Sequence, residues 1–205
     1  MSIELAIPDP CLVVLIGAAG SGKSTFAARH FAPGEILSSD AFRARVGHGE
    51  TDQAASRRAF GVLHLALERR LTAGRTAVVD ATNVQGHARL ALIRRARAAG
   101  VPAVAIVLDL PLAECLAADR ARVDRHVPEA VVERQWSALQ TTLDGPPLTG
   151  EGFAVVHRLT SRAAVDSVVV GRAGEGWPTL SPAAPADRRS APRRHRRTAE
   201  DVERP

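Results

Sequence analysis

Alternation of short apolar runs with helical stretches predicts an α/β fold, with a parallel central sheet and helices on both of its faces. Three observations carry this expectation. Runs rich in Val, Ile and Leu recur at 12–16, 35–38, 76–80 and 102–108, each followed by a stretch of helical character. The first run opens directly onto a glycine-rich turn and then a helix-forming segment. At 205 residues, 45% hydrophobic but only 3% aromatic, the chain has material for one domain whose core is built from aliphatic side chains and Ala.

Leu12-Val13-Val14-Leu15-Ile16 is the first expected strand and residues 23–31 the first helix, stopped by Pro33-Gly34. Glu35-Ile36-Leu37-Ser38 follows as a short strand, with Asp40 at its carboxyl end, where open α/β sheets place functional groups. Ala55, Phe60, Leu63, Leu67 and Leu71 recur at helical spacing between Asp52 and Leu71, and Ala73-Gly74 ends that helix. Thr76-Ala77-Val78-Val79-Asp80 is apolar enough to be buried on both faces. A helix over 86–99 stops at Gly100 and a strand covers 102–108. Helices over 111–120 and 128–143, a strand over 153–157 and a short helix over 161–168 complete a domain of residues 1–170. From Gly171 onward Gly, Pro, Ala and Arg dominate and the periodicity is lost, so 171–205 is expected to be a disordered Pro/Arg-rich basic tail.

The net charge of +5 is unevenly placed: 19 basic against 17 acidic residues up to Val170, then 8 against 5. A nearly balanced body makes global charge a weak guide to partners, while the arginine-rich tail suits salt-sensitive attraction to nucleic acid. Glu4, Pro8, Asp9 and Pro10 interrupt any signal-like apolar stretch, and no run is long enough to span a bilayer. Cys11 and Cys115 fit neither a disulfide framework nor a zinc cluster, and a cytoplasmic protein with reduced thiols is the expectation.

Gly17-Ala18-Ala19-Gly20-Ser21-Gly22-Lys23-Ser24-Thr25 is a complete G-x-x-x-x-G-K-[ST] phosphate-binding loop in its proper strand–loop–helix setting. Its glycines let successive N–H groups turn toward phosphate oxygens, and the helix after it aims its positive end at the same anion. Lys23, the chain's only lysine, supplies a compact ammonium for the terminal phosphates. ATP is the expected nucleotide. Ser24 and Asp80, both at strand ends beside the loop, are the candidate Mg²⁺ residues. Asp40 is placed to take a proton from an acceptor hydroxyl, and Arg43, three residues on, to hold a phosphate; a helix-capping role for Ser39 or Asp40 is the alternative. Arg122 and Arg125 share a helical face in a segment suited to a mobile lid, with a solvated basic helix as the alternative. Asn83 has either a local structural or a substrate role.

Ser38-Ser39-Asp40-x-x-Arg43, Val78-Val79-Asp80-Ala81-Thr82-Asn83-Val84 with Arg89, and the phosphate loop together resemble the kinase module of bacterial polynucleotide kinase–phosphatase end-healing enzymes, from about Leu5 to Val170. The resemblance implies a P-loop kinase-like three-layer sandwich with a helical lid. It implies transfer of the ATP γ-phosphate to a polynucleotide 5′-OH, with Asp40 as general base, Arg43 on the acceptor or transferred phosphate, and Arg122 and Arg125 as lid arginines. Asn83 and Arg89 fall on its substrate side. The sequence departs from the family at Ala118, where another lid arginine is expected, with Arg120 nearby but out of register. A kinase for a small-molecule hydroxyl and an ATP-binding module recruited to nucleic acid are the competing readings.

Overall fold

All five residues of strand β2 (Leu12–Ile16) are shielded from solvent, as a run of consecutive aliphatic residues requires when both faces of a strand are covered. A computed structural model describes residues 3–46, 53–122 and 126–173. In it β2 lies at the centre of a five-stranded, all-parallel sheet. With β3 (Ile36–Ser38), β4 (Ala77–Asp80), β5 (Ala103–Leu108) and β6 (Val155–Leu159), the order is β3-β4-β2-β5-β6.

Alternation along the strands divides the core into two layers. Val13, Leu15, Val78, Val104, Ile106 and Leu108 meet Phe26 and Ala27 of helix α1 (Lys23–His30). Leu12, Val14, Ile16, Val79, Ala105 and Val107 face the opposite way. They meet Leu63, Leu67 and Leu71 of α3 (Gln53–Thr72) and Leu92, Ile93 and Ala96 of α4 (Gly86–Ala98). Helices α2 (Ser39–Val46), α5 (Leu112–Arg120), α6 (Glu129–Asp144) and α7 (Arg162–Ser167) complete the set. Helix α6 serves both layers, giving Val132 to the first and Leu139 to the second. This is the three-layer P-loop kinase fold.

Two strands were not expected. β1 (Ile3–Pro8) and β7 (Val168–Ala173) pair in parallel as a separate two-stranded sheet, from Ile3 opposite Val168 to Pro8 opposite Ala173. Gly171, Arg172 and Ala173, assigned from sequence to the tail, therefore belong to a strand. Arg172 forks onto Glu35 at 2.9 and 2.6 Å, and this hydrogen-bonded cation holds the Glu35 carboxyl below its ordinary range. The rest of the expected tail, residues 174–205, lies outside the described residues.

Candidate active site

The phosphate loop crosses the carboxyl end of β2, between β4 and β5, so groups at the ends of three neighbouring strands converge on it. Its backbone requires glycine at three positions. Gly20 and Gly22 have φ of 76° and 95°, and a side chain on Gly20 would overlap the Cys115 carbonyl of α5. A Cβ on Gly17 would stand 2.7 Å from Ser21 Oγ and 2.9 Å from the Leu108 carbonyl. Gly17 donates its N–H to the Thr82 carbonyl at 3.0 Å, fastening the loop to the segment after β4. Ala19, Gly20, Gly22, Lys23, Ser24 and Thr25 line a cavity of about 950 Å³, while Ala18 and Ser21 are buried and joined by a hydrogen bond from the Ser21 N–H to the Ala18 carbonyl at 3.2 Å.

Lys23 is 8% exposed and donates from Nζ to the Ala18 carbonyl at 2.7 Å. Burial pushes its pKa down to about 8, against the opposing pull of Asp80, then Cys115 and Asp40. Asp80 ends β4 at 6% exposure, and burial raises its carboxyl above the ordinary range, opposed by a hydrogen bond from Ser24 and by the Lys23 charge. A hydroxyl and a carboxylate already in contact on the cavity wall form an oxygen pair suited to a hard divalent cation that takes its other ligands from phosphates and water. Ser24 and Asp80 thus fit Mg²⁺.

Asp40 stands in the first turn of α2, directly after β3. The turn's backbone is served by Ser38, whose Oγ accepts the Ala41 N–H at 3.5 Å, while the Asp40 carboxylate accepts from Arg43 at 3.2 Å. Both side chains line the cavity, and the Arg43 guanidinium lies 5.7 Å over the Phe60 ring. Across the same wall are Leu63, His64, His87, Ala88, Ala91 and Leu92. Burial lowers the His64 pKa, with Arg95 adding to the effect.

Arg122 lines the cavity just past the end of α5, and its charge acts on both Lys23 and Asp80. Arg125 lies outside the described residues. Arg120 faces away, paired with Glu129 of α6 at 2.8 and 2.6 Å. Buried Asp119 ties the turn between these helices by accepting the Val127 N–H at 2.8 Å.

Two expected substrate residues, Arg89 and Asn83, have side chains bonded into the scaffold. Arg89 is 2% exposed and does not reach the cavity wall. It forks onto Glu151 at 2.8 and 2.5 Å and donates to the carbonyls of Asn83 and Val84 at 3.1 and 2.8 Å. It is a buried strut that shapes the segment after β4. Asn83 lies on the wall, but its Nδ2 is turned to the Leu15 carbonyl at 2.8 Å, and its φ of 50° is a left-handed conformation that Asn tolerates. It locks the end of β4 to the end of β2.

Sequence reasoning missed Gln135, which accepts the Ala19 N–H at 2.8 Å, and Arg162, which donates to the carbonyls of Gly20 and Ser21 at 3.4 Å. Both come from elements more than 100 residues beyond the loop, without a local signal.

Comparison with protein families matches residues 12–146 to AAA_33, an AAA domain. The chain belongs to this family. No curated protein matches it. Among solved structures, this AAA_33 chain is similar to one from a Pnkp1/Rnl/Hen1 RNA repair complex, with a TM-score of 0.59 and 23% identity. The similarity covers 67% of this chain and 46% of that one, so the chain spans less than half of that protein. Chaetomium thermophilum Kti12 in complex with ADP-AlF3 gives 0.54 and 20%, covering 76% and 93%. A sugar kinase from Janibacter gives 0.51 and 19%, covering 74% and 85%. At these identities the likeness is one of fold.

Proposed function

We propose that this protein transfers the γ-phosphate of ATP to the 5′-hydroxyl of a polynucleotide. The observation that carries the reading is the Asp40–Arg43 pair, which lines the same cavity as Lys23 and Asp80 from the end of β3, with β4 between that strand and the one that leads into the phosphate loop. A protein that only binds nucleotide has no use for a carboxylate at that place. The loop N–H groups and Lys23 hold the triphosphate. Asp40 accepts the proton of the acceptor hydroxyl as its oxygen forms the new bond to the γ-phosphorus, and the bond to the β–γ bridging oxygen breaks to release ADP. Arg43 orients the acceptor or its phosphate, and Arg122, with Arg125, neutralises charge on the transferring group. Bound Mg²⁺, held by Ser24 and Asp80, would neutralise phosphate oxygens.

The named motifs resemble those of polynucleotide kinases, and the fold neighbour from an RNA repair complex supports the same reading. A small-molecule hydroxyl is the second reading, favoured by the apolar acceptor wall of Phe60, Leu63, Ala88, Ala91 and Leu92. The test is transfer of labelled γ-phosphate from ATP to 5′-OH RNA and DNA oligonucleotides, with Lys23→Ala and Asp40→Ala alongside. Label on the oligonucleotide, lost in both variants, is the expected result. ATP binding without transfer to either oligonucleotide sinks the polynucleotide reading in favour of a small acceptor.

A further inference from the structure

Helix α6 reaches the site through Gln135. Its Oε1 accepts the Ala19 N–H at 2.8 Å, and the side chain lies on the wall of the cavity that also holds Lys23, Ser24 and Arg122. The peptide unit involved is the one whose carbonyl, on Ala18, accepts the Lys23 ammonium at 2.7 Å. In a trans peptide the C=O and N–H point to opposite sides, so Lys23 and Gln135 grip one rigid plane from its two ends. An N–H donor also decides which end of a carboxamide faces it: only Oε1 can accept, so the two N–H groups of Nε2 are left for another acceptor. Among the described residues Nε2 has none. Gln140, one helical turn and a residue further on, differs: its Nε2 is bound to Asp109 Oδ1 at 2.8 Å and serves the scaffold.

We propose that Gln135 is a further catalytic residue, whose Nε2 donates to the terminal phosphoryl group of the nucleoside triphosphate while its Oε1 keeps α6 fastened to the loop. This role of Gln135 rests on the nucleotide-binding part of the proposed function and is independent of the acceptor. It adds a neutral donor to the charged groups around the transferred phosphate. Through it, α6 registers whether that phosphate is present.

The test is calorimetric titration of wild type, Gln135→Glu and Gln135→Ala with ATP and with ADP, in the presence of Mg²⁺, after thermal melts establish that each variant is folded. Gln135→Glu keeps the acceptor for Ala19 and replaces the donor by a carboxylate oxygen. Its affinity for ATP should fall at least tenfold and for ADP less than threefold, and Gln135→Ala should lose about three- to tenfold of the preference for ATP. An ATP-to-ADP preference within twofold of wild type in both variants overturns the proposal, as does an equal loss for the two nucleotides, which would mean that Gln135 only props the loop. Wild type that binds neither nucleotide overturns this proposal and the kinase reading together. Wild type with the expected nucleotide preferences but no transfer to oligonucleotides supports Gln135 and removes only the polynucleotide acceptor.

Discussion

Lys23 holds its charge where burial works against it, and the depressed pKa of about 8 has a measurable consequence. The folded chain binds fewer protons than the unfolded one between that value and the ordinary lysine range. Burying this charge therefore costs stability at neutral pH, and the cost is relieved as pH rises through that window. A triphosphate reverses the preference, because the anion favours the ammonium. ATP binding at pH 8.5 should therefore take up a fraction of a proton, seen as a binding enthalpy that varies with the ionisation enthalpy of the buffer. At pH 7 Lys23 is already charged and its contribution should vanish, and Lys23→Met should abolish the uptake at pH 8.5. A buffer-independent enthalpy at pH 8.5 would show that Lys23 is charged before the nucleotide arrives.

Ion pairs that look alike in sequence differ greatly once the elements are packed. Arg89 on α4 is enclosed and its charge is balanced by Glu151, so Glu151→Ala leaves an uncompensated buried guanidinium and should cost about 3–5 kcal/mol in urea unfolding. Arg120 and Glu129 join α5 to α6 in solvent, and Arg120→Ala should cost less than about 1 kcal/mol. The sequence made the five strands of the main sheet, the phosphate loop and most helices legible, because each depends on residues close together in the chain. It also led to the Asp80 and Asp40 positions, since both follow from where a strand ends. Glu151 is 62 residues from Arg89 and Gln135 is 116 from Ala19, and no periodicity carries information over such distances. Arg89 shows the same limit from the other side: its residue type suggests a substrate contact, but the turn of α4 points it into the protein.

At the scale of the molecule, β1 and β7 draw both ends of the described chain into one small sheet, a pairing hidden from local reading because Pro8 and a glycine interrupt its strands. The described domain therefore extends through Ala173, three residues into the expected tail. Truncation after Ala173 spares the Arg172–Glu35 pair and should leave ATP affinity unchanged; on the proposed polynucleotide reading, the loss of seven arginines should weaken nucleic-acid binding and flatten its dependence on salt. Salt titrations of both forms with a single-stranded oligonucleotide check this, and equal slopes would remove the tail from consideration. The strand order has another consequence, for synthesis on the ribosome. β2 is made early, yet its two neighbours, β4 and β5, come more than 60 and 80 residues later. The nucleotide-binding loop is thus translated long before any frame exists to shape it, and its flanking runs of bare aliphatic residues must wait, exposed, for partners. Nascent chains arrested before Leu108 leaves the exit tunnel should be unable to retain ATP and should be the stage at which a chaperone is most needed.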